Sequence, residues 1–305
     1  MSDAVELQRK EVSGGSDGPH LLITGGVHGD EFESMAAVRR LIARFTPDEA
    51  RDALCGRLTL VPVVNEGAFL AGARTAEDGL DLARVCPGRS DGTITQRTAV
   101  ALSTLIRSAD FYIDLHSGGV AMSVLPLVGY ALHADESILN QQRRMARVFN
   151  LPIVWGTSGK LPGRSLSVAR DAGVPALYAE YLGSGLCDRE GVEAYVEGCL
   201  NVMAELEMLT RDQPASRVER VVEDRREGSG HMQVCNPSPL TGFFEPAVQL
   251  GDAVGAGDTL GTVCDALGET VHQVESQQAG IVLVLRTFSR VLEGESVAVV
   301  LEENG

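Results

Sequence analysis

Lysine is nearly missing from this chain: Lys10 and Lys160 are the two present, and arginine supplies the remaining basic charge. With 26 basic residues against 42 acidic ones, the formal net charge is −16. A charge of that sign repels a phosphate backbone and argues against a nucleic-acid partner. The six cysteines (Cys55, Cys86, Cys187, Cys199, Cys235 and Cys264) form no CxxC pair and keep no regular spacing. In a chain of this size they read as reduced, mostly buried thiols. The opening stretch MSDAVELQRKEVSGG contains no apolar run, and no later segment is long and apolar enough to span a bilayer. These absences lead to the expectation of a cytoplasmic protein without a membrane partner. What remains is an ordinary globular balance, 44% hydrophobic and 22% charged, which excludes disorder or a fibrous repeat. A length of 305 residues suffices for one large α/β domain and a smaller module.

Up to Leu209, short apolar runs alternate with amphipathic helical patterns. Strands are predicted at 20–25, 58–64 (LTLVPVV), 111–116 (FYIDLH), 122–129, 151–155 and 174–180 (VPALYAE). Helical spacing joins Phe32, Met35, Val38, Ile42 and Phe45, and again Ile138, Met145 and Phe149 within 135–149. The longest such stripe runs through Val192, Tyr195, Cys199, Met203 and Leu206 in 188–209. Strand–helix alternation of this kind predicts an α/β fold, a sheet covered by helices on both faces, with ligands gathered at the carboxyl ends of the strands.

The texture then changes. The expected division is a catalytic domain over 1–210, a polar segment over 211–230 that reads as a linker or an exposed strand, and a β-rich domain over 231–305. The last part has glycine-punctuated β-like pieces in two similar halves, GFFEPAVQLGDAVGAGDTLGTV and AGIVLVLRTFSRVLEGESVAVVL, suggesting a small barrel or sandwich. Biotin- and lipoyl-carrier domains share that texture, but a carrier needs a lysine to modify and none follows Lys160. A covering or docking role remains.

Chemistry-bearing residues cluster at strand ends followed by glycine. His28 and Glu31 sit just past the first strand in GGVHGDE, His116 closes FYIDLH before SGG, and Glu180 ends VPALYAE before YLGSG. A catalytic zinc site takes three protein ligands from His and carboxylates and leaves a position for water. His28, Glu31 and His116 have the right types and number. Taken from the residues alone, each is also a hydrogen-bonded structural side chain in waiting, and spacing leaves the two readings open. If both His28 and Glu31 aim at one ion, Asp30 faces away or supports the turn.

GGVHGDE, DLARVCPG, DLHSGG and AEYLGSG, in this set, resemble the succinylglutamate desuccinylase/aspartoacylase family of zinc carboxypeptidase-like hydrolases. The likeness covers nearly the whole chain, and within the family DLHSGG and the GRSL segment are most similar to deacylases of small N-acylated amino acids, including N-acetyl-diaminobutyrate deacetylases. The resemblance implies a mixed sheet with helices on both faces and a C-terminal β-rich domain that shapes the channel to the active site. It implies one Zn2+ per chain held by His28, Glu31 and His116, with Glu180 as general base and Arg74 steadying the oxyanion. Asp81 falls on the carboxylate behind a zinc-bound histidine, and Arg84, Arg164 and Asn65 fall at substrate positions, with Arg170 competing for the place of Arg164. The implied partner is a small N-acylated molecule; the oligomeric state stays open.

Three positions depart from the family pattern: Glu66 stands for the proline after Asn65, Ala83 for an asparagine, and Cys86 for an aromatic. Glu66 is expected to bring a charge near the pocket, and Ala83 to weaken the grip on a substrate carboxylate. Cys86 has no evident histidine partner to make it a nucleophile. Two further readings stay on the table: a catalytically silent relative that binds a ligand or partner, and a peptidase that trims from the carboxyl end.

Overall fold

The computed structural model describes residues 4–232 and 235–302; the remainder of the expected catalytic and C-terminal segments lies outside the described residues. The chain opens with β1 (Lys10–Ser13) and β2 (Ser16–Thr24), then α1 (Phe32–Arg44), α2 (Asp48–Asp52), β3 (Cys55–Val61), α3 (Glu66–Ala71), α4 (Leu82–Val85) and α5 (Ile94–Arg107). Next come β4 (Phe111–Leu115), β5 (Met122–Ala131), α6 (Glu136–Phe149), β6 (Ile153–Thr157), α7 (Ser165–Ala172), β7 (Ala176–Gly183) and α8 (Arg189–Glu205). The rest is strand: β8 (Arg220–Glu223), β9 (Gly242–Pro246), β10 (Ala253–Val254), β11 (Thr259–Cys264), β12 (Val271–Glu275), β13 (Gly280–Arg286), β14 (Arg290–Val291) and β15 (Ala298–Leu301).

The main sheet is mixed. Parallel pairs link β3 to β2, β2 to β4 and β4 to β7, whereas β5 runs antiparallel to β7. Strand alternation sends side chains to opposite faces. In β2, Leu21 and Ile23 therefore join one core with Val38 and Leu41 of α1, Phe149 of α6 and Met203 of α8. Leu22 turns the other way, to Ala99, Leu102 and Ile106 of α5 and Val168 of α7. Each such side chain, fully withdrawn from water, contributes roughly 1.5–3 kcal/mol before entropy is charged against it. Helices thus cover both faces, as the alternation predicted. Their ends carry local signals: Asp135 accepts from Ser137 N at 2.8 Å to cap α6, and Asp188 accepts from Gly191 N at 2.8 Å to cap α8.

Strand β5 forks. Met122–Val124 pairs with β13 and Leu127–Ala131 with β6, so the C-terminal chain is built into the same sheet as the metal-type residues. The polar 210–230 stretch also contributes, as β8 alongside β6. A second sheet, ordered β12-β11-β9-β14, packs Phe244, Leu260, Val263 and Val274 against Val282 and Val300. Among the described residues no helix is long and apolar enough to cross a membrane.

Candidate metal centre and active site

The parallel strands β2, β4 and β7 end side by side, and their carboxyl ends deliver the chemistry to one place. Beyond Thr24 the chain turns off the sheet, with Gly25 N bonded to Val61 O at 2.9 Å and Asn65 N to Gly26 O at 2.8 Å. The turn then presses on α3: a Cβ at Gly29 would lie 2.0 Å from the carbonyl carbon of Ala68, so no side chain fits there. Asp30 supports this arrangement, as its Oδ2 accepts from Val120 N at 2.9 Å and ties the turn to the loop after His116.

Glu31 occupies the N-cap of α1 but spends no oxygen on capping. Instead Nδ1 of His28 lies 2.6 Å from its Oε1, and Nδ1 of His116 lies 2.9 Å from its Oε2. The imidazole centroids are 5.3 Å apart, and one ligand atom from each of the three buried residues falls within 4.8 Å of the others. Burial pushes the Glu31 carboxyl up, but His28 and His116 outweigh it and hold the group well below the usual carboxylate range.

Each imidazole is backed by a carboxylate on its far nitrogen. Asp81 Oδ1 lies 3.1 Å from Nε2 of His28 and also accepts from Ala83 N at 2.9 Å, while Oδ2 accepts from Nε and Nη2 of Arg74 at 3.1 and 3.0 Å. Burial opposes the charge on Asp81; the His28 hydrogen bond and Arg74 overcome it and keep the carboxyl far below its ordinary value. Asp114 Oδ2 lies 3.1 Å from Nε2 of His116. Its Oδ1 accepts from Thr24 Oγ1 at 2.7 Å, and the Ser165 hydroxyl donates to Oδ2. Two nitrogens and a carboxylate that converge, each ring oriented by an outer carboxylate, fit a divalent ion of the zinc type.

Asp114, which backs His116 in this candidate site, is a residue that the sequence reading missed. The signal was present: in the strand predicted over 111–116, Asp114 and His116 are two apart and therefore share a face.

Glu180 ends on the same cavity, of about 140 Å³, which is also lined by His28, Glu31, His116, Arg74, Arg84 and Arg164. It is 8% exposed, and its Oε2 has no hydrogen-bond partner among the described residues. Burial pushes its carboxyl up to about 8, with Glu31 and Asp114 adding to the rise and His116 and Arg74 opposing it. A buried acid left unpaired beside a cavity is costly to keep, and such groups cluster where proton transfer is done.

Arg74 lies against this centre, its Nη1 3.9 Å from Glu31 Oε1. Arg84 and Arg164 line the wall; burial lowers both, and the charge of Arg164 helps bring Arg84 to about 10. Arg170 reaches the cavity too, but its guanidinium is spent on the carbonyls of Gly159 and Leu161 and on Asp171. Asn65 is placed elsewhere. Its Oδ1 accepts from Ala68 N at 3.2 Å to cap α3, and it lines a neighbouring hollow instead of this cavity. Glu66 follows it there and accepts from Gln8 Nε2 at 2.8 Å, so its charge does not approach the reaction centre. Ala83 does line the cavity. Cys86 is buried, with its thiol pushed up to about 12 by burial and by Asp114, which leaves no thiolate for nucleophilic attack.

Residues 17–206 match the succinylglutamate desuccinylase/aspartoacylase catalytic domain. The chain is 29% identical to the N-alpha-acetyl-L-2,4-diaminobutyric acid deacetylase of Halomonas elongata, over 94% of this chain and 83% of that protein. A succinylglutamate desuccinylase from a Silicibacter species superposes with a TM-score of 0.85 at 26% identity, covering 97% of this chain and 88% of the other. The product-bound ectoine utilization protein EutE (DoeB) of Ruegeria pomeroyi gives 0.84 at 28% identity, covering 96% and 87%. With the catalytic-domain match spanning more than half the chain, this protein belongs to the succinylglutamate desuccinylase/aspartoacylase family.

Proposed function

We propose that the chain is a zinc-dependent amide hydrolase that removes an acyl group from a small N-acylated amino acid. The observation that carries this reading is the meeting of the His28–Glu31–His116 donor set with the unpaired, buried Glu180 in one cavity. The family and the deacetylase relative support the same class of reaction.

His28, Glu31 and His116 would hold one Zn2+, which when bound supplies a Lewis acid for the amide carbonyl and a water of lowered pKa. Glu180 accepts the proton of the attacking water on Oε2, the atom that has no other partner. The water oxygen forms a bond to the carbonyl carbon, and negative charge collects on the carbonyl oxygen. Arg74, fixed by its two bonds to Asp81, is placed to balance that charge. Cleavage of the C–N bond then returns the proton from Glu180 to the leaving amine, and the acid so formed gives its remaining proton to that amine, leaving a carboxylate and an ammonium group. Arg84 and Arg164 would grip the substrate carboxylate by charge-assisted hydrogen bonds.

Met232 and Val284, from the C-terminal part of the chain, complete the cavity wall. That favours a small substrate over a peptide, and supports the entrance-shaping role of the 231–305 segment. The test is elemental analysis of the purified protein followed by turnover of N-acetyl, N-succinyl and N-formyl amino acids with and without a chelator. About one zinc per chain and chelator-sensitive amide cleavage are expected; a metal-free preparation that cleaves at full rate overturns the proposal.

A further inference from the structure

We propose that Leu182 is a positioning residue for Glu180: it opens a left-handed run of backbone, 182–185, that hooks the end of β7 onto the loop following His116. This rests on the hydrolase reading above and deepens it by naming what aims the base. Oε2 of Glu180 has no hydrogen-bond partner among the described residues, so the direction of the carboxylate depends on where β7 sets its backbone.

Just past Glu180, β7 departs from a regular strand on both sides. Toward β5, Leu127 pairs with Glu180 and Val124 with Leu182, so Leu125 and Pro126 together stand against Tyr181 alone. A bulge of this kind bends the chain and re-aims the side chains beside it, and Pro126 has no N–H to give to the ladder. Toward β4, His116 N donates to Ala179 O at 2.8 Å. An unbroken parallel ladder would next bring Gly118 N to Tyr181 O. Gly118 N donates to Leu182 O instead, at 2.8 Å. The ladder has slipped by one residue, and Glu180 lies between the two bonds.

The slip coincides with consecutive positive φ angles: Leu182 at +42°, Gly183 at +131°, Ser184 at +59° and Gly185 at +71°. Glycine takes that region freely, whereas a bulky residue such as leucine is strained in it. Strain of this sort persists where the surroundings over-determine it. Here Ser184 N donates to Met122 O at 2.9 Å and Gly185 N to Gly119 O at 2.8 Å. A Cβ at Gly183 would lie 2.7 Å from N and Cα of Gly118, so the two segments touch backbone to backbone. Thr287, from the C-terminal part of the chain, clasps both: its N donates to Ala121 O at 3.0 Å and its hydroxyl to Ser184 Oγ at 3.0 Å. Leu182 is half-buried and, among the described residues, stands outside the packed apolar clusters. What it contributes is the shape of the chain.

The experiment compares Leu182→Asn, Leu182→Gly and Leu182→Val in the full zinc-loaded protein. Asparagine accepts the left-handed region, glycine accepts it without enforcing it, and β-branched valine resists it. Three quantities are read: kcat and KM over N-acetyl, N-succinyl and N-formyl amino acids, zinc affinity by competitive titration, and amide hydrogen exchange of peptides spanning 117–122 and 183–186. Leu182→Val should lose about tenfold or more in kcat, with KM and zinc affinity within about twofold of wild type, and both peptides should exchange faster. Leu182→Asn should recover most of both losses; a packing role predicts the opposite order, since valine is the closer match to leucine in polarity. If Leu182→Val does not fold, Leu182→Gly decides, with kcat expected to fall several-fold as exchange rises. Valine equal to or better than asparagine in kcat, or faster exchange at unchanged kcat, overturns the inference and leaves the hydrolase reading standing. A wild type that cleaves none of these substrates overturns the hydrolase reading, and the inference with it.

Discussion

Asp114 Oδ2 lies 3.1 Å from Nε2 of His116, two residues further along the chain and just past the end of β4. The pair repeats, from β4, what Asp81 does for His28 from the start of α4. An outer carboxylate fixes which nitrogen of the ring faces the ion and raises its basicity, and losing one typically weakens metal affinity on the order of 10–100-fold. Asp114→Asn keeps the shape and removes the charge. Competitive zinc titration against a chromophoric chelator should show the weakening. The rise in melting temperature produced by a fixed zinc concentration should shrink in parallel, since ligand stabilisation follows the ratio of concentration to Kd.

Glu180 should set the acid limb of the activity profile. The base must be ionised to take a proton, so kcat/KM rises with pH through the pKa of the group. Burial pushes that pKa up to about 8 in the metal-free chain, and a nearby divalent cation favours the ionised form and lowers it. The limb is expected above the ordinary carboxylate range and below about 8. Glu180→Gln should lose on the order of 10²–10⁴-fold in kcat while binding zinc as the wild type does. An unchanged kcat in this variant removes Glu180 from the mechanism.

The same group should destabilise the metal-free fold at neutral pH. A carboxyl whose folded pKa is raised keeps its proton in the native state after the unfolded chain has released it, so stability falls as pH rises from about 4.5 towards 8. Glu180→Gln should therefore melt higher than wild type at pH 7–8, with the gap closing near pH 4. Thermal melts of metal-free protein across that range check the sign.

That His28, Glu31, His116 and Glu180 meet was legible because they stand at strand ends beside glycines, and an α/β sheet gathers such ends along one edge. His28, Glu31, His116 and Glu180 share one cavity, and β4 and β7 lie next to each other in the sheet. Long-range pairing was not legible. Nothing in GIVLVLR announces that it will pair with Met122–Val124, or in RVVE that it will pair beside β6, because an apolar strand does not name its neighbour. Asn65 misled for a local reason: an amide after a strand is as good a helix cap as a substrate contact, and here it caps α3. Strand β3 stops at Val61, short of the expected Val64, because Pro62 has no N–H to continue the ladder.

Cys86 offers a control. It is buried beside Leu82, with Sγ 3.5 Å from that residue's carbonyl oxygen, and its thiol is pushed up to about 12. Cys86→Ala should leave kcat/KM within about threefold and cost about 1 kcal/mol of stability, the ordinary size of a small core truncation. In wild type, alkylation at neutral pH should modify the exposed Cys187 while sparing Cys86, as peptide mapping would show. Inactivation that tracks modification of Cys86 would return a thiol to the mechanism.

Gly129 and Tyr178 face each other across β5 and β7, and the ring occupies the space a side chain at 129 would need. Gly129→Ala puts a methyl 2.3 Å from two ring carbons, closer than any relaxed contact, so either the ring or the strand must move. Overpacking of this kind typically costs 1–3 kcal/mol, about what a melt of the zinc-loaded protein should register. Strand pairing on the far half of β5 does not pass through this contact, and the metal ligands sit on β2's turn and β4's end. Zinc affinity should therefore hold while KM rises, because the displaced ring alters the wall of the cavity that Tyr178 lines together with Arg164 and Glu180. Tyr178→Phe in the same background separates the two effects. If the hydroxyl is what the methyl displaces, the double variant should raise KM no further than Gly129→Ala alone, a coupling read from the double-mutant cycle.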